Sequence, residues 1–363
     1  MVASKTNNVA VWALTPNGQK LAGNIRRKMT GVDVYLSQNI SAGQVEHLTF
    51  QKLSETLKNK FDRYGGHIFI MSTGIVVRLI APLIKHKTED PAVVVVDDGG
   101  NHAISLLSGH LGGANELTRQ IAATIGARPV ITTATDVNQV PAIDLLAKEK
   151  NLLIENPAAI KTVNMALLTG NKIMLCDPHN FLKNTLPDAE RLTSDELMQH
   201  VQKNCQHTDI VDVAYVLVDD LGVDLPVAAL ILRPASLVAG IGCNRSTEAA
   251  EILAHLADVL AKNNLARSSL KGMASIDVKA DENGLILAAE NLKLPLTFFS
   301  KLELNQVKNI ENPSEVVEKH VGVKSVCEAA AILATRNGTL VVPKQSTKNV
   351  TVAIARINFL SSE

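Results

Sequence analysis

The richest chemistry in the sequence lies in residues 93–122, VVVVDDGGNHAISLLSGHLGGANELTRQIA. A β-branched run ends at Asp97-Asp98-Gly99-Gly100, a second apolar run opens at His102, and Ser108-Gly109-His110-Leu111-Gly112-Gly113 leads into a helical pattern at Asn115. Imidazoles titrate near neutral pH, so His102 and His110 have the chemistry of a general base and acid, and they flank one loop. A glycine-rich helix entry presents backbone N–H groups and the positive end of the helix dipole to an anion. Bland readings stand beside these. Asp97 to Asn101 reads equally as a hairpin turn, and Gly112 and Gly113 as a close helix–strand contact. A histidine is more often a satisfied structural residue than a catalyst. A metal held by the two histidines with Asp97 or Asp98 matches no helix or turn signature.

Two further segments repeat the strand–glycine–helix logic. In MSTGIVVRLIAPL, Thr73 and Gly74 fall where a strand hands over to a helix, and Arg78 lies one turn on. Free N–H groups there suit a carboxylate. In LVAGIGCNRSTEAAEIL, Gly240 and Gly242 precede a helix whose first turn carries Ser246, Thr247 and Glu248. Arg245 suits a forked pairing with a ligand carboxylate. Cys243, near a helix N-terminus, is placed for a lowered pKa, but no neighbouring signature supplies its base. Lys279 and Glu282 flank a turn signal at Asn283-Gly284, where charges are usually solvated. Ser325 and Glu328 around Cys327 fit a capping box. None of the glycine loops fits GxxxxGK[ST] or GxGxxG, which weakens a nucleotide reading.

The elements that must carry these residues follow from the pattern. Short β-branched runs alternate with amphipathic helices, so the fold class is α/β with mainly parallel sheets. Two layered α/β domains are expected, residues 1–136 and 225–363, joined by a smaller α/β linker segment over 137–224. The 363 residues carry 36 Lys+Arg and 36 Asp+Glu, so bulk nucleic-acid binding is excluded on charge. Only 3% of residues are aromatic, too few for a base-stacking surface. Arg78 and Pro82, and Arg233 and Pro234, interrupt the longest apolar runs, so no membrane span is expected. Cys176, Cys205, Cys243 and Cys327 are widely spaced, which argues against a disulfide framework and for a reducing cytoplasm.

The run STGIVVRLIAPLIKHKTEDPAVVVVDDGGNHAISLLSGHLGGANELTRQIA, followed by PVITTATD, resembles the N-terminal domain of the cobalt-precorrin-5A hydrolases, the CbiG family of anaerobic cobalamin biosynthesis. GIGCNRSTEAAEI, SIDVKADENGL, VCEAAAIL and VTVAIA resemble that family's C-terminal domain, also found as the separate protein CobE. The resemblance implies an enzyme that opens the δ-lactone of a cobalt-bound macrocycle, releasing acetaldehyde and leaving cobalt-precorrin-5B. It implies no resident metal or cofactor, because the substrate carries the cobalt.

A tetrapyrrole bristles with carboxylates, which several helix N-termini would hold without a basic patch. Thr73, Gly74, Arg78, Asp97, Asp98, Gly99, Ser108, Gly109, Gly112, Gly113, Asn115, Gly240, Gly242, Cys243, Arg245, Lys279 and Glu282 are the expected substrate-binding set. His102 or His110 would be the base, with N–H groups from Gly109 to Gly113 holding the oxyanion. The expected partner is the cobalt-precorrin itself, with transient contact to neighbouring corrin-pathway enzymes left open. A non-catalytic tetrapyrrole carrier is the alternative.

Overall fold

The alternation of β-branched runs and amphipathic helices builds three sheets, two of them mainly parallel and the third with two parallel and two antiparallel pairings. The computed structural model describes residues 6–40, 46–86, 89–204, 213–222, 225, 229–308, 310–313 and 322–359. Cys205 lies outside the described residues. The chain divides into two compact units, Met1–Leu145 and Leu146–Glu363.

The first unit holds seven strands: β1 (Thr6–Ala13), β2 (Val32–Ser37), β3 (Leu48–Phe50), β4 (Tyr64–Ile70), β5 (Ala92–Val96), β6 (His102–Leu107) and β7 (Arg128–Val130). Their spatial order is β3-β2-β1-β4-β5-β6-β7. β1 to β5 run parallel, β6 reverses against β5, and β7 follows β6. Val93 and Val95 face one apolar layer, while Val94 and Val96 face the other. That explains the unbroken β-branched run, which a parallel sheet buried on both faces requires. The few aromatics are used inside. Trp12 stacks on Tyr35 with centroids 4.2 Å apart, and its Nε1 donates to His67 Nδ1 at 3.0 Å.

The second unit contains two five-stranded sheets. One comprises β8 (Leu152–Ile154), β9 (Lys172–Cys176), β10 (Glu190–Arg191), β11 (Val213–Val218) and β12 (Leu230–Pro234), in the order β10-β9-β11-β12-β8. The central segment is thus a layer of its own with five strands. Residues 223 and 224, at the expected boundary, lie outside the described set. Leu230–Pro234 pairs with β11 and β8, so this strand belongs with the central layer, although the sequence reading placed it beyond that boundary.

The other sheet comprises β13 (Leu237–Cys243), β14 (Leu270–Ile276), β15 (Leu296–Phe299), β16 (Thr339–Ser346) and β17 (Val350–Arg356), in the order β15-β14-β13-β17-β16. Helix Val326–Ala334 lies directly on β13. A Cβ on Gly240 would come within 1.8 Å of the Cys327 carbonyl oxygen, so only glycine permits the approach. The two layers of this unit are tied by ions. Arg356 clamps Asp220 through Nε and Nη2, both at 2.7 Å, and Ser236 donates to the same carboxylate.

The capping box expected at Ser325 does not form. Ser325 caps without a side-chain hydrogen bond, and the fully buried Glu328 turns elsewhere. Its carboxylate accepts from the N–H groups of Glu311, Asn312 and Lys344 and from the Asn312 amide. Burial pushes the Glu328 carboxyl up, but these donors outweigh it and hold its pKa below the ordinary value. Because the folded pKa is depressed, the contribution is complete above the unfolded pKa of about 4.3 and is lost as pH falls through the folded value. Glu328→Gln should therefore lower the urea midpoint at pH 7, with the gap to the parent protein closing as pH falls below about 4. A gap independent of pH would show that the charge is not what matters.

Candidate active site

The reversal of β6 decides where the candidate residues go. Val96 pairs with Ala103 and Val93 with Leu107, so His102 sits at the carboxyl-end edge of β5 while His110 lies beyond the opposite edge. At ~3.3 Å per residue the six residues of β6 separate them by at least about 16 Å. The two histidines therefore cannot act as an acid–base pair on one group, nor share a metal with Asp97 or Asp98. Among the described residues no group of three His, Cys, Asp or Glu is arranged to hold a metal ion.

One edge gathers the carboxyl ends of β1, β4 and β5 with the start of β6. The chain order reverses between β1 and β4, the place where open α/β sheets leave a crevice for ligands. Helices Pro16–Lys28 and Thr73–Ile80 begin here. Among the described residues, the N–H groups of Thr73 and Gly74 have no protein acceptor, since the first helical bonds to Ser72 come from Ile75 and Val76. Arg78 reaches back to the Gly74 carbonyl at 3.0 Å and lies over the helix start.

The segment Asp97 to Asn101 is a hairpin turn between antiparallel strands, and also part of this edge. Asp98 bonds Thr15 and Asn17, which pins the turn across the first helix. Asp97 accepts N–H groups of Gly99 at 2.9 Å and His102 at 2.6 Å. A Cβ on Gly99 would meet the Asn101 amide at 2.6 Å, so that side chain would have to move aside. Partial burial raises the Asp97 carboxyl, but those donors win and keep it below the usual carboxylate range. Asp97 is therefore a fixed anion, 3.5 Å from His102 Nδ1. The His102 side chain is 50% exposed, and its Nε2 has no protein partner among the described residues.

The opposite edge holds a polar network centred on His110 and Asn115. Ser108, at φ 60, turns the chain back so that its carbonyl and that of Gly109 receive the N–H groups of Ala114 and Asn115. Gly113 donates to the His110 carbonyl. Of the N–H groups expected to hold an oxyanion, that of Gly113 is thus engaged by its own loop, as are those of Ala114 and Asn115. Gly112 is a packing glycine, since a Cβ would lie 2.3 Å from Ser108 Cβ, and Gly113 adopts φ 86. His110 is gripped on both sides. Thr135 and Asp136 meet Nε2 at 2.9 and 3.3 Å, and Asp144 meets Nδ1 at 3.5 Å. The hydrogen bond to Asp144 raises its pKa, burial opposes, and Asp136 adds to the rise. An imidazole so held has both ring nitrogens engaged and none left to take a proton from a substrate water.

Asn115, buried, donates to Thr133 and Asp136 and accepts from Ser105. Burial raises Asp136, but Thr133, Arg119 and His110 lower it further. Thr133, Thr135, Asp136, Asp144 and Arg119 were absent from the sequence candidates. The pattern Thr133-x-x-Asp136 was a usable signal: it is a capping signature, and the two side chains bond at 2.6 Å.

In the third sheet, helices Ala249–Lys262 and Asn283–Leu292 open onto a cleft of ≈ 620 Å³ lined by Arg245 to Ala250 and by Asp281 to Gly284. Arg245 is already paired with Asp281 at 2.5 Å and bonds the Val278 carbonyl. The expected turn at Asn283-Gly284 is the first turn of a helix, and Glu282, expected to be solvated, is buried and accepts the Ser246 N–H at 2.8 Å. Lys279, half-buried, acts electrostatically on Cys243. Burial nonetheless pushes the Cys243 thiol up, against the lowered value expected of a nucleophile. Gly242 is required by Thr351 Oγ1, which a Cβ would meet at 2.5 Å. Gly240 and Gly242 are thus explained by packing.

Comparison with known proteins bears on all three layers. Residues 55–136 match the family described as cobalamin synthesis G N-terminal, 141–234 the cobalamin biosynthesis central region, and 237–355 the cobalamin synthesis G C-terminus. The chain is 33% identical over 370 residues to a cobalt-precorrin-5A hydrolase of Priestia megaterium, covering 98% of this chain and 96% of that one. It is 35% identical to the enzyme of the same name from Salmonella typhimurium, covering 93% and 94%. Protein CobE of a Sinorhizobium species is 35% identical over 123 residues, 33% of this chain and 80% of that one.

Proposed function

The chain belongs to the CbiG family of cobalt-precorrin-5A hydrolases of cobalamin biosynthesis, and on that premise we propose that the lactone is opened at the carboxyl-end edge of β1, β4 and β5, with His102 as general base. The observation that carries the choice is the contrast between the histidines. Of His102 and His110, only His102 presents a ring nitrogen without a protein partner among the described residues, and only it stands beside a fixed carboxylate while open to solvent.

In this reading His102 Nε2 accepts a proton from water as the water adds to the lactone carbonyl. Asp97, already anionic, steadies the imidazolium and sets the ring orientation. The acyl–oxygen bond breaks to give a carboxylate and an alkoxide. The alkoxide collapses to acetaldehyde, and the electron pair of the broken carbon–carbon bond passes into the conjugated macrocycle, which takes up a proton. The cobalt ion belongs to the substrate, and no resident cofactor is assigned. The N–H groups of Thr73 and Gly74 lie two strands from β6, about 10 Å away, a span suited to a peripheral carboxylate of a ring whose reacting carbon faces His102. Among the described residues no helix is long and apolar enough to cross a membrane.

Running a single turnover in ¹⁸O-water tests the acyl attack. One labelled oxygen should enter the freed carboxylate of the macrocycle, read by mass spectrometry of the product. An unlabelled carboxylate accompanied by acetaldehyde release would mean that water does not attack the carbonyl.

A further inference from the structure

The central layer has a cleft that the lactone chemistry leaves unused. Its volume is ≈ 530 Å³, and it opens at the carboxyl ends of β9 and β11, where the chain order of that sheet reverses. We propose that this cleft is a separate ligand site that binds small aliphatic carboxylates through Arg191, Arg356 and His179.

The argument rests on which polar atoms converge there without a protein partner. Arg356 uses Nε and Nη2 on Asp220, which fixes the guanidinium plane and leaves Nη1 without a protein acceptor among the described residues. Arg191 is loosely held, 3.8 Å from Asp177 and 3.4 Å from the Lys183 carbonyl. His179 packs against Phe181 and Phe359, and its ring nitrogens make no hydrogen bond among the described residues. Two cations and an imidazole thus face one cavity.

The acids around them do not cancel this. The Asp177 carboxylate is engaged by the N–H groups of Phe181 and Leu182, and Glu196 is bonded to Thr193. Asp219 is buried, its Oδ1 accepts two backbone N–H groups, and burial pushes its carboxyl up toward the neutral form. Leucines 175, 192 and 221 supply apolar walls, so the carbon skeleton should be aliphatic.

Butyrate labelled at its carboxyl carbon is the probe, observed by ¹³C NMR with the full-length protein. Saturable binding is expected, with butyramide binding at least tenfold more weakly. Arg191→Ala and His179→Ala should each weaken butyrate about tenfold or more, with melting temperature unchanged and Arg191→Lys restoring part of the affinity. Equal binding of butyramide, equally tight inorganic phosphate, or unaltered affinity in both variants would overturn the carboxylate site. Loss of lactone turnover in the His102 variant leaves this outcome untouched, so the two proposals fail separately.

Discussion

Replacing His102 by glutamine should lower acetaldehyde release by roughly 10²–10⁴-fold while the macrocycle still binds. The side chain is half exposed and makes one 3.5 Å contact to Asp97, so little packing is lost and the melting temperature should hold. A base that acts only in the transition state leaves KM nearly unchanged when removed, and kcat falls with kcat/KM. His110→Gln is the natural companion. It takes away the ring that bridges Asp136 and Asp144, so its main effect should be on stability. Equal turnover in the His102 variant, with turnover lost in a well-folded His110 variant, would move the chemistry to the other edge of the sheet.

Arg356→Met should cost about 3–5 kcal/mol, because it strands a buried carboxylate without its partner. Asp220 has no exposed side-chain surface, whereas Arg356 is 26% exposed. The pair is therefore asymmetric, and Asp220→Leu alone should cost less, since the remaining guanidinium reaches water. The double variant should recover much of the loss, because an apolar pair can replace a buried ion pair at little cost. Urea unfolding of the four proteins measures the coupling. Additive effects of the two substitutions would show that the clamp does not act as a unit.

The fold class could be read in the sequence because burial on both sides of a parallel sheet leaves unbroken runs such as Val93 to Val96, and because Gly126 ends its helix in the left-handed conformation. The glycine-rich loops were visible, but their purpose was not. A glycine at a ligand and a glycine under a helix look alike in one dimension. Only three-dimensional contact shows that Gly112 lies against Ser108 and Gly240 against the Cys327 carbonyl. Gly113 is a similar case: at φ 86 a β-branched residue is strained, so Gly113→Val should impair folding first. The separation of the two histidines was hidden for a different reason. Eight positions apart reads as one loop until β6 is known to be extended and reversed. Asp144 and Asp136 entered the His110 network from 34 and 26 residues away, a distance that local pattern does not span.

Strand β17 lies between β13 and β16, hydrogen-bonded to both. Its residues 350–356 are made more than a hundred positions after β13, so an inner strand of the third sheet is supplied last during synthesis. Until then β13 offers β14 one side and an unpaired apolar edge on the other, the state in which sheets join wrongly to neighbours. The first sheet has no such debt to a distant segment: β1 to β5 pair in the order in which the ribosome releases them, apart from the β1–β4 crossover. Emergence of the chain thus favours an early, self-sufficient N-terminal unit and a late closure of the C-terminal one, with long-range pairing making that closure the slow step.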